Sequence, residues 1–331
     1  MRVRRHSLVL AVVLVTASCS GDGYGGPPAR SAPSAATTTT VRAAAPVRVL
    51  TLNVLHGLFC DQETDFCHAP DRALMVADAI EAADCPELVG FQEIGPRQPA
   101  VVPPAMEQVC DGRYKLAWEG IDSPDRAMVF TTLPIRDRGF VDLASFPWEG
   151  YRVRVDTPIG PVDFLTAHFA SSSNNPPCEG DVCPPMCPTG ITANECHAIE
   201  VVAALDARRA GAALQIASGD FNAEPGSPTL TTLTAAGFTD TRAAAGEPEC
   251  DAATGRGCTG DRDRPENALD GLDVPGGHYR ERIDYVLARP GKDCALDAAV
   301  EPFASEPLST PFRGLYWPSD HGGVLAELTC S

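Results

Sequence analysis

Apolar and β-branched residues dominate 47–55 (VRVLTLNVL), which predicts a strand. A helical period follows over 70–84 (PDRALMVADAIEAAD), opened by Pro-Asp. A second strand is expected over 86–94 (PELVGFQEI), ending in Gln92 and Glu93. A short helix is expected after Pro103 and Pro104. Strand patterns return over 126–135 and over 151–169, the latter a hairpin turning at TPIG. A helix over 195–211 stops at Gly211, and a strand over 212–222 ends in the polar turn GDFN. Further strands are expected over 281–289 and at the close of the chain, 318–330. Strands and helices alternate with hairpins mixed in, so the pattern predicts a mixed α/β layered fold rather than a purely parallel sheet.

Two stretches break this rhythm: 171–197, rich in Pro and Cys, and 246–276, dense in Gly, Asp and Arg. No Walker loop or G-x-S-x-G elbow is present. The 331 residues carry a formal net charge of −18. Such a surface argues against tight, non-specific nucleic-acid binding, yet bound cations can reverse the local field of a nuclease. The first residues read as an export leader: MRVRR, then the short apolar run LVLAVVLV, then TASC. This resembles a bacterial lipobox and predicts a signal peptide over 1–19 with Cys19 as the lipidated residue. Residues 20–45 read as a flexible tether, and 46–331 as the catalytic domain. Setting Cys19 aside leaves twelve of thirteen cysteines, an even number suited to disulfides in an exported chain. Short loops favour Cys60–Cys67 and Cys250–Cys258, with Cys85–Cys110 and Cys294–Cys330 as further guesses. Cys178, Cys183, Cys187 and Cys196 are either disulfides or zinc ligands.

The chemistry-bearing residues stand at the ends of the predicted strands. Asn53, Glu93, His168, Asp220 with Asn222, and Asp320 with His321 follow this rule, and Asp284 lies within its strand. Singly, each has an ordinary explanation as a cap, a turn former or a core histidine. Together they suggest one site on a sheet rim. The ordered set LNV, FQE, TAHF, GDFN, RIDYVL and SDH resembles the endonuclease/exonuclease/phosphatase superfamily from about Val47 to Leu328. That resemblance implies a four-layer sandwich, two packed mixed β-sheets flanked by helices. It also implies a phosphoesterase dependent on Mg2+, or on Mn2+ or Ca2+.

Hydrolysis of a phosphate ester needs charge neutralisation and an activated water. Glu93, Asn53 and Asp320 are the expected metal ligands, Glu93 first by resemblance. His168 and Asn222 are expected to donate to phosphate oxygens. His321 is the expected general base, held by Asp284, with Asp220 the alternative. The sequence departs from the family at Leu55, where some of its nucleases carry an acid, and at His168, where the abasic-site enzymes carry Tyr. The expected substrate is a nucleic-acid or phospholipid-type diester, with membrane attachment through Cys19 and no obligate protein partner. A small phosphomonoester would need a basic pocket, for which Arg152, Arg154, Arg262, Arg264, Arg280 and Arg282 are available. A non-catalytic surface lipoprotein is the rival of another class.

Overall fold

In the computed structural model of the protein the described residues are 45–331, apart from 58–59, 61–64, 96, 118–125, 145–148, 181, 261–268, 270–271 and 311–313. The expected leader and tether lie outside them, Ala45 excepted. Two six-stranded sheets are packed face to face. The first has the order β11 (Leu296–Phe303), β14 (Gly323–Cys330), β1 (Val47–Asn53), β2 (Leu88–Ile94), β4 (Arg126–Thr131), β3 (Lys115–Leu116). The second runs β5 (Ile135–Asp142), β6 (Glu149–Thr157), β7 (Gly160–His168), β8 (Leu214–Asp220), β10 (Asp284–Pro290), β9 (Thr239–Asp240). Helices α1 (Asp65–Ala82) and α2 (Gln98–Gln108) cover the first sheet. Helices α3 (Ala193–Asp206) and α4 (Pro228–Ala235) cover the second. The result is the expected four-layer sandwich. A four-residue α5 (Thr241–Ala244) and a hairpin of β12 (Leu308–Thr310) and β13 (Gly314–Tyr316) complete it.

Alternation along the strands assigns the layers. In β7, Val162 and Phe164 enter the core between the sheets, while Leu165 and Ala167 pack against α3 and α4. In β8, Leu214 and Ile216 point between the sheets and Ala217 points to the helices. The same parity carries Asp220 to the inner face. The sheets approach closely at Gly90, where a Cβ would lie 2.6 Å from Thr166 Oγ1. There Gln92 Nε2 donates to both Thr51 Oγ1 (3.0 Å) and Thr166 Oγ1 (2.7 Å), a polar rung joining the two sheets.

Several elements differ from expectation. The segment 126–135 is not one strand: it ends at Thr131, turns through Pro134 and starts again as β5. Neither β5 nor β11 was anticipated. Both are edge strands whose exposed positions carry polar residues, such as Arg136 and Glu301, so their apolar period is weak. Residues 66–68 have positive φ, and the regular helix begins beyond them, near Pro70. Asp284 is the first residue of β10 rather than an interior one.

All six disulfides close local loops, from 5 residues (Cys178–Cys183) to 36 (Cys294–Cys330). The four crowded cysteines pair as Cys178–Cys183 and Cys187–Cys196, so their sulfurs are oxidised and the zinc alternative fails. The remaining pairs are Cys60–Cys67, Cys85–Cys110 and Cys250–Cys258, as proposed from spacing. Six disulfides fit an oxidising environment. No helix among the described residues is long and apolar enough to cross a membrane.

His197 on α3 is a fully enclosed core histidine. Its Nε2 lies 2.5 Å from the Ala144 carbonyl and its Nδ1 accepts from Ala170 N at 3.2 Å. Burial pushes this ring down to about 4, and the Ala144 carbonyl only partly offsets that. The unfolded ring titrates near the usual value, about 6.5. Below that pH the unfolded chain takes up a proton that the folded one refuses, so the contribution is present above pH 6.5 and lost as pH falls toward 4. Denaturant titrations at pH 7, 5.5 and 4.5 should show stability falling in this window, with a shallower fall in His197→Gln.

Candidate active site

Strand register brings the polar strand ends together. His168 pairs across to Asp220 in the parallel β7–β8 ladder. Asp284 pairs to the same Asp220 in the antiparallel β10–β8 ladder. Asn53 ends β1 in the facing sheet and donates through Nδ2 to Asp220 Oδ2 at 3.1 Å. The opening turn of GDFN is built for this meeting. Gly219 has φ +135°, and a Cβ there would lie within van der Waals overlap of the Ala167 carbonyl. Asn222 is left-handed, with its backbone N–H donating to Asp220 Oδ1 at 2.9 Å.

Glu93 reaches the site through an irregularity. Simple alternation would send it to the face opposite Gln92. A register shift between Phe91 and Ile94, with φ +58° at Glu93, re-aims it. Its Oε1 then accepts from Asn53 Nδ2 (2.9 Å) and its Oε2 from His56 N (3.0 Å). His168 Nε2 sits 3.4 Å from Asp220 Oδ2 and 3.0 Å from Asn222 Nδ2. His321 Nδ1 is 2.9 Å from Asp284 Oδ2, and its Nε2 faces Asp220 Oδ2 at 3.6 Å. Both His321 and Asp284 are wholly buried. Burial opposes a charge on His321, but Asp284, Asp220 and Asp320 outweigh it and hold the ring up at about 10.

Glu93, Asp220, Asp284 and Asp320 are all buried in this region. Such a surplus of enclosed carboxylate calls for a cation. The guanidinium that the described residues place among them, that of Arg72, has every N–H engaged with a carbonyl, as described below. The ligand atoms of Glu93, His168 and Asp220 lie within 4.8 Å of one another, as do those of Asp220, Asp284 and His321. An oxygen-rich set of this kind fits a hard divalent ion. Asp320 is buried beside Ser319 but joins neither of these clusters.

The supports of the site were invisible in the sequence. Arg72 on α1 is 2 % exposed and donates to five carbonyls: Val54 (2.6 Å), Leu55 (3.0 Å), Phe66 (3.3 Å), Cys67 (2.7 Å) and Pro318 (3.1 Å). It thereby clasps the segment after Asn53, the Cys60–Cys67 loop and the segment before Asp320. Gln98 also donates to the Leu55 carbonyl. Leu55 itself is an apolar peg packed with Tyr279 and Trp317. Ser319 Oγ donates to the Asn53 carbonyl at 2.6 Å, and His321 N donates to Ser319 Oγ at 3.2 Å. From the loop 246–276, Thr259 Oγ1 accepts from the backbone N–H groups of Ile283 and Asp284, each at 3.1 Å. This loop braces the His321–Asp284 pair from behind.

Three of the arginines considered for a basic pocket are committed elsewhere. Arg152 pairs with Asp137, Arg154 with Asp163, and Arg282 with Glu249 and Asp240. Arg262 and Arg264 lie outside the described residues.

The sequence matches the Endonuclease/Exonuclease/phosphatase family over residues 50–321. The chain belongs to that family. No curated protein matches it. Solved structures share the fold at low identity. TDP2 from D. rerio, complexed with a single-strand DNA product, has a TM-score of 0.59 at 16% identity, covering 86% of this chain and 98% of that one. The human nocturnin catalytic domain, with a bound sulfate anion, has a TM-score of 0.54 at 15% identity, with coverages of 87% and 94%. A family protein from Bacteroides thetaiotaomicron has a TM-score of 0.59 at 14% identity, with coverages of 88% and 100%.

Two outcomes are expected. Arg72→Met strips five buried carbonyls of their donor and lowers the unfolding free energy by about 3 kcal/mol or more in denaturant titrations. Mg2+, Mn2+ or Ca2+ at a hundredfold excess over Kd raises the unfolding free energy of the chelator-treated protein by about 2.7 kcal/mol. Glu93→Gln should abolish most of that gain in the same melts.

Proposed function

We propose that this chain is an exported, divalent-cation-dependent phosphodiesterase acting on nucleic-acid or phospholipid-type diesters. The observation that carries this reading is the contact of Asp220 with His321, itself held by Asp284, beside Asn53, His168 and Asn222. Glu93 and Asp220 are the residues proposed to hold the cation, with Asp320 close enough to act on the same charges. Asn53, expected as a ligand, turns Nδ2 to both carboxylates while its Oδ1 accepts from Leu55 N, so it positions the ligands rather than binding the ion. When bound, the cation supplies charge neutralisation at the phosphate.

The chain's own residues do the rest. His168 and Asn222, whose ring and amide nitrogens face one another at 3.0 Å while Asn222 Nδ2 also donates to the Phe169 carbonyl, are proposed to turn N–H groups to non-bridging oxygens as charge builds on them. A water placed against Asp220 Oδ2 gives up its proton to the Asp220–His321–Asp284 set through that carboxylate, as its oxygen attacks phosphorus and the ester P–O bond breaks. His321, held protonated by the acids around it, keeps Nε2–H turned to Asp220. These groups are in contact, so the proton belongs to the set rather than to one residue. Asp284 fixes the His321 ring through Nδ1, leaving Nε2 turned to the reaction. The six disulfides support an extracytoplasmic setting, and Cys19 is the proposed point of lipid attachment.

The test is an assay on bis-p-nitrophenyl phosphate, duplex DNA and a phospholipid diester, with Mg2+, Mn2+, Ca2+ or EDTA. Turnover should require a divalent cation. His321→Ala should lower kcat by about 100-fold or more, the range for losing a general acid–base. A folded protein without turnover on these substrates would favour the non-catalytic surface lipoprotein.

A further inference from the structure

A cavity of about 690 Å3 opens beside the reaction centre, with Asn222 in its wall. The 171–197 stretch, which the family resemblance did not account for, forms much of the remainder. Its lining is distinctive in kind. Three consecutive serines, Ser171 to Ser173, line it together with Asn175, Ser227 and Thr229. Among the described residues no aromatic ring and no Lys or Arg lines it, whereas Glu195, Glu224 and Glu281 do.

The two helices that start at this cavity are closed to anions. At α3, Thr192 accepts from Glu195 N, and the Glu195 carboxylate returns to Thr192 N at 2.6 Å. A carboxylate therefore already occupies that helix end. At α4, Ser227 Oγ accepts from Leu230 N. Among the described residues a second phosphate would meet neither a cation nor an open helix terminus here, and a base would find no ring to stack on. Hydroxyl groups, by contrast, would meet many donors and acceptors.

The wall is held in place before any ligand arrives. Asn194 donates to the carbonyls of Ala170 (2.7 Å) and Phe221 (2.9 Å) and accepts from Thr229 Oγ1 at 2.5 Å. Cys178–Cys183 and Cys187–Cys196 close the loop behind it. Ordering is thus supplied by the fold rather than by binding.

From these observations we infer that the cavity is a subsite for an uncharged polyhydroxylated alcohol, a sugar or polyol, esterified to the phosphate in the reaction centre. The inference rests on the phosphodiesterase reading for the position of that phosphate. It narrows the substrate to a polyol phosphodiester and sets aside a continuing nucleic-acid strand.

The experiment compares glycerophosphoinositol, bis-p-nitrophenyl phosphate and a single-stranded oligodeoxynucleotide as substrates of the full chain and of Ser172→Trp, which fills the cavity. The ratio of kcat/KM for glycerophosphoinositol over bis-p-nitrophenyl phosphate should fall tenfold or more in Ser172→Trp. An unchanged ratio, or an oligonucleotide preferred over glycerophosphoinositol by the parent chain, overturns the inference. Calorimetry on His321→Ala with Mg2+ separates the two readings. If nothing is turned over, yet glycerophosphoinositol binds and Ser172→Trp weakens it tenfold or more, the subsite stands and the phosphodiesterase reading falls. If glycerophosphoinositol is neither turned over nor bound, the subsite falls.

Discussion

The carboxylate of Asp220 is the point on which this molecule turns. It lies on the inner face of one sheet, receives Asn53 from the other, and has a strand neighbour on each side in His168 and Asp284. A charge so enclosed is tolerated only if several groups point at it. Satisfying it fixes the separation of the sheets, the register of three strands and the left-handed turn at Asn222. The polar rung of Thr51, Gln92 and Thr166 repeats the logic two residues deeper, with hydroxyls and an amide in place of charges.

The layered fold and the residues that meet at its rim were legible because both leave local marks. Buried strands show as apolar runs, and a strand that stops in Asp-Phe-Asn departs from what packing alone asks. The edge strands β5 and β11 were not legible, since solvent erases the apolar face that would announce them. Arg72 was hidden for another reason. In sequence it is one charged residue on an amphipathic helix, and nothing local says that its head turns inward to five carbonyls. Glu93 stood out as a strand-end acid, but the bulge that delivers it had no signature beyond Gly95. Thr259 and Ser319 act through backbone groups of other segments, a relation that one-dimensional patterns do not carry.

The electrostatics of the region divide between two kinds of positive partner. Arg72 is spent on backbone carbonyls and serves as a rivet, its charge diluted over five acceptors. His321 answers the acids directly and is raised by them. That leaves Glu93 and Asp220 as the acids with room for a further cation. The loop cysteines fall on the same plan: the disulfides at 60–67 and 250–258 lie under the rim residues, next to Arg72 and Thr259. The acidic surface as a whole sets the long-range field, while a handful of buried contacts set the local one.

The pairing of β1 with β14 bears on how the molecule comes into being. The first strand of the domain completes its hydrogen bonds only with the last, and Asn53 and His321 come from opposite ends of the chain. Five of the six disulfides close within 25 residues or fewer, but this seam, like the Cys294–Cys330 bridge, requires the final strand. In a chain still being synthesised β1 therefore has no β14 to pair with, and Asn53 and His321 have not yet met. The candidate site is complete only when the final strand is in place.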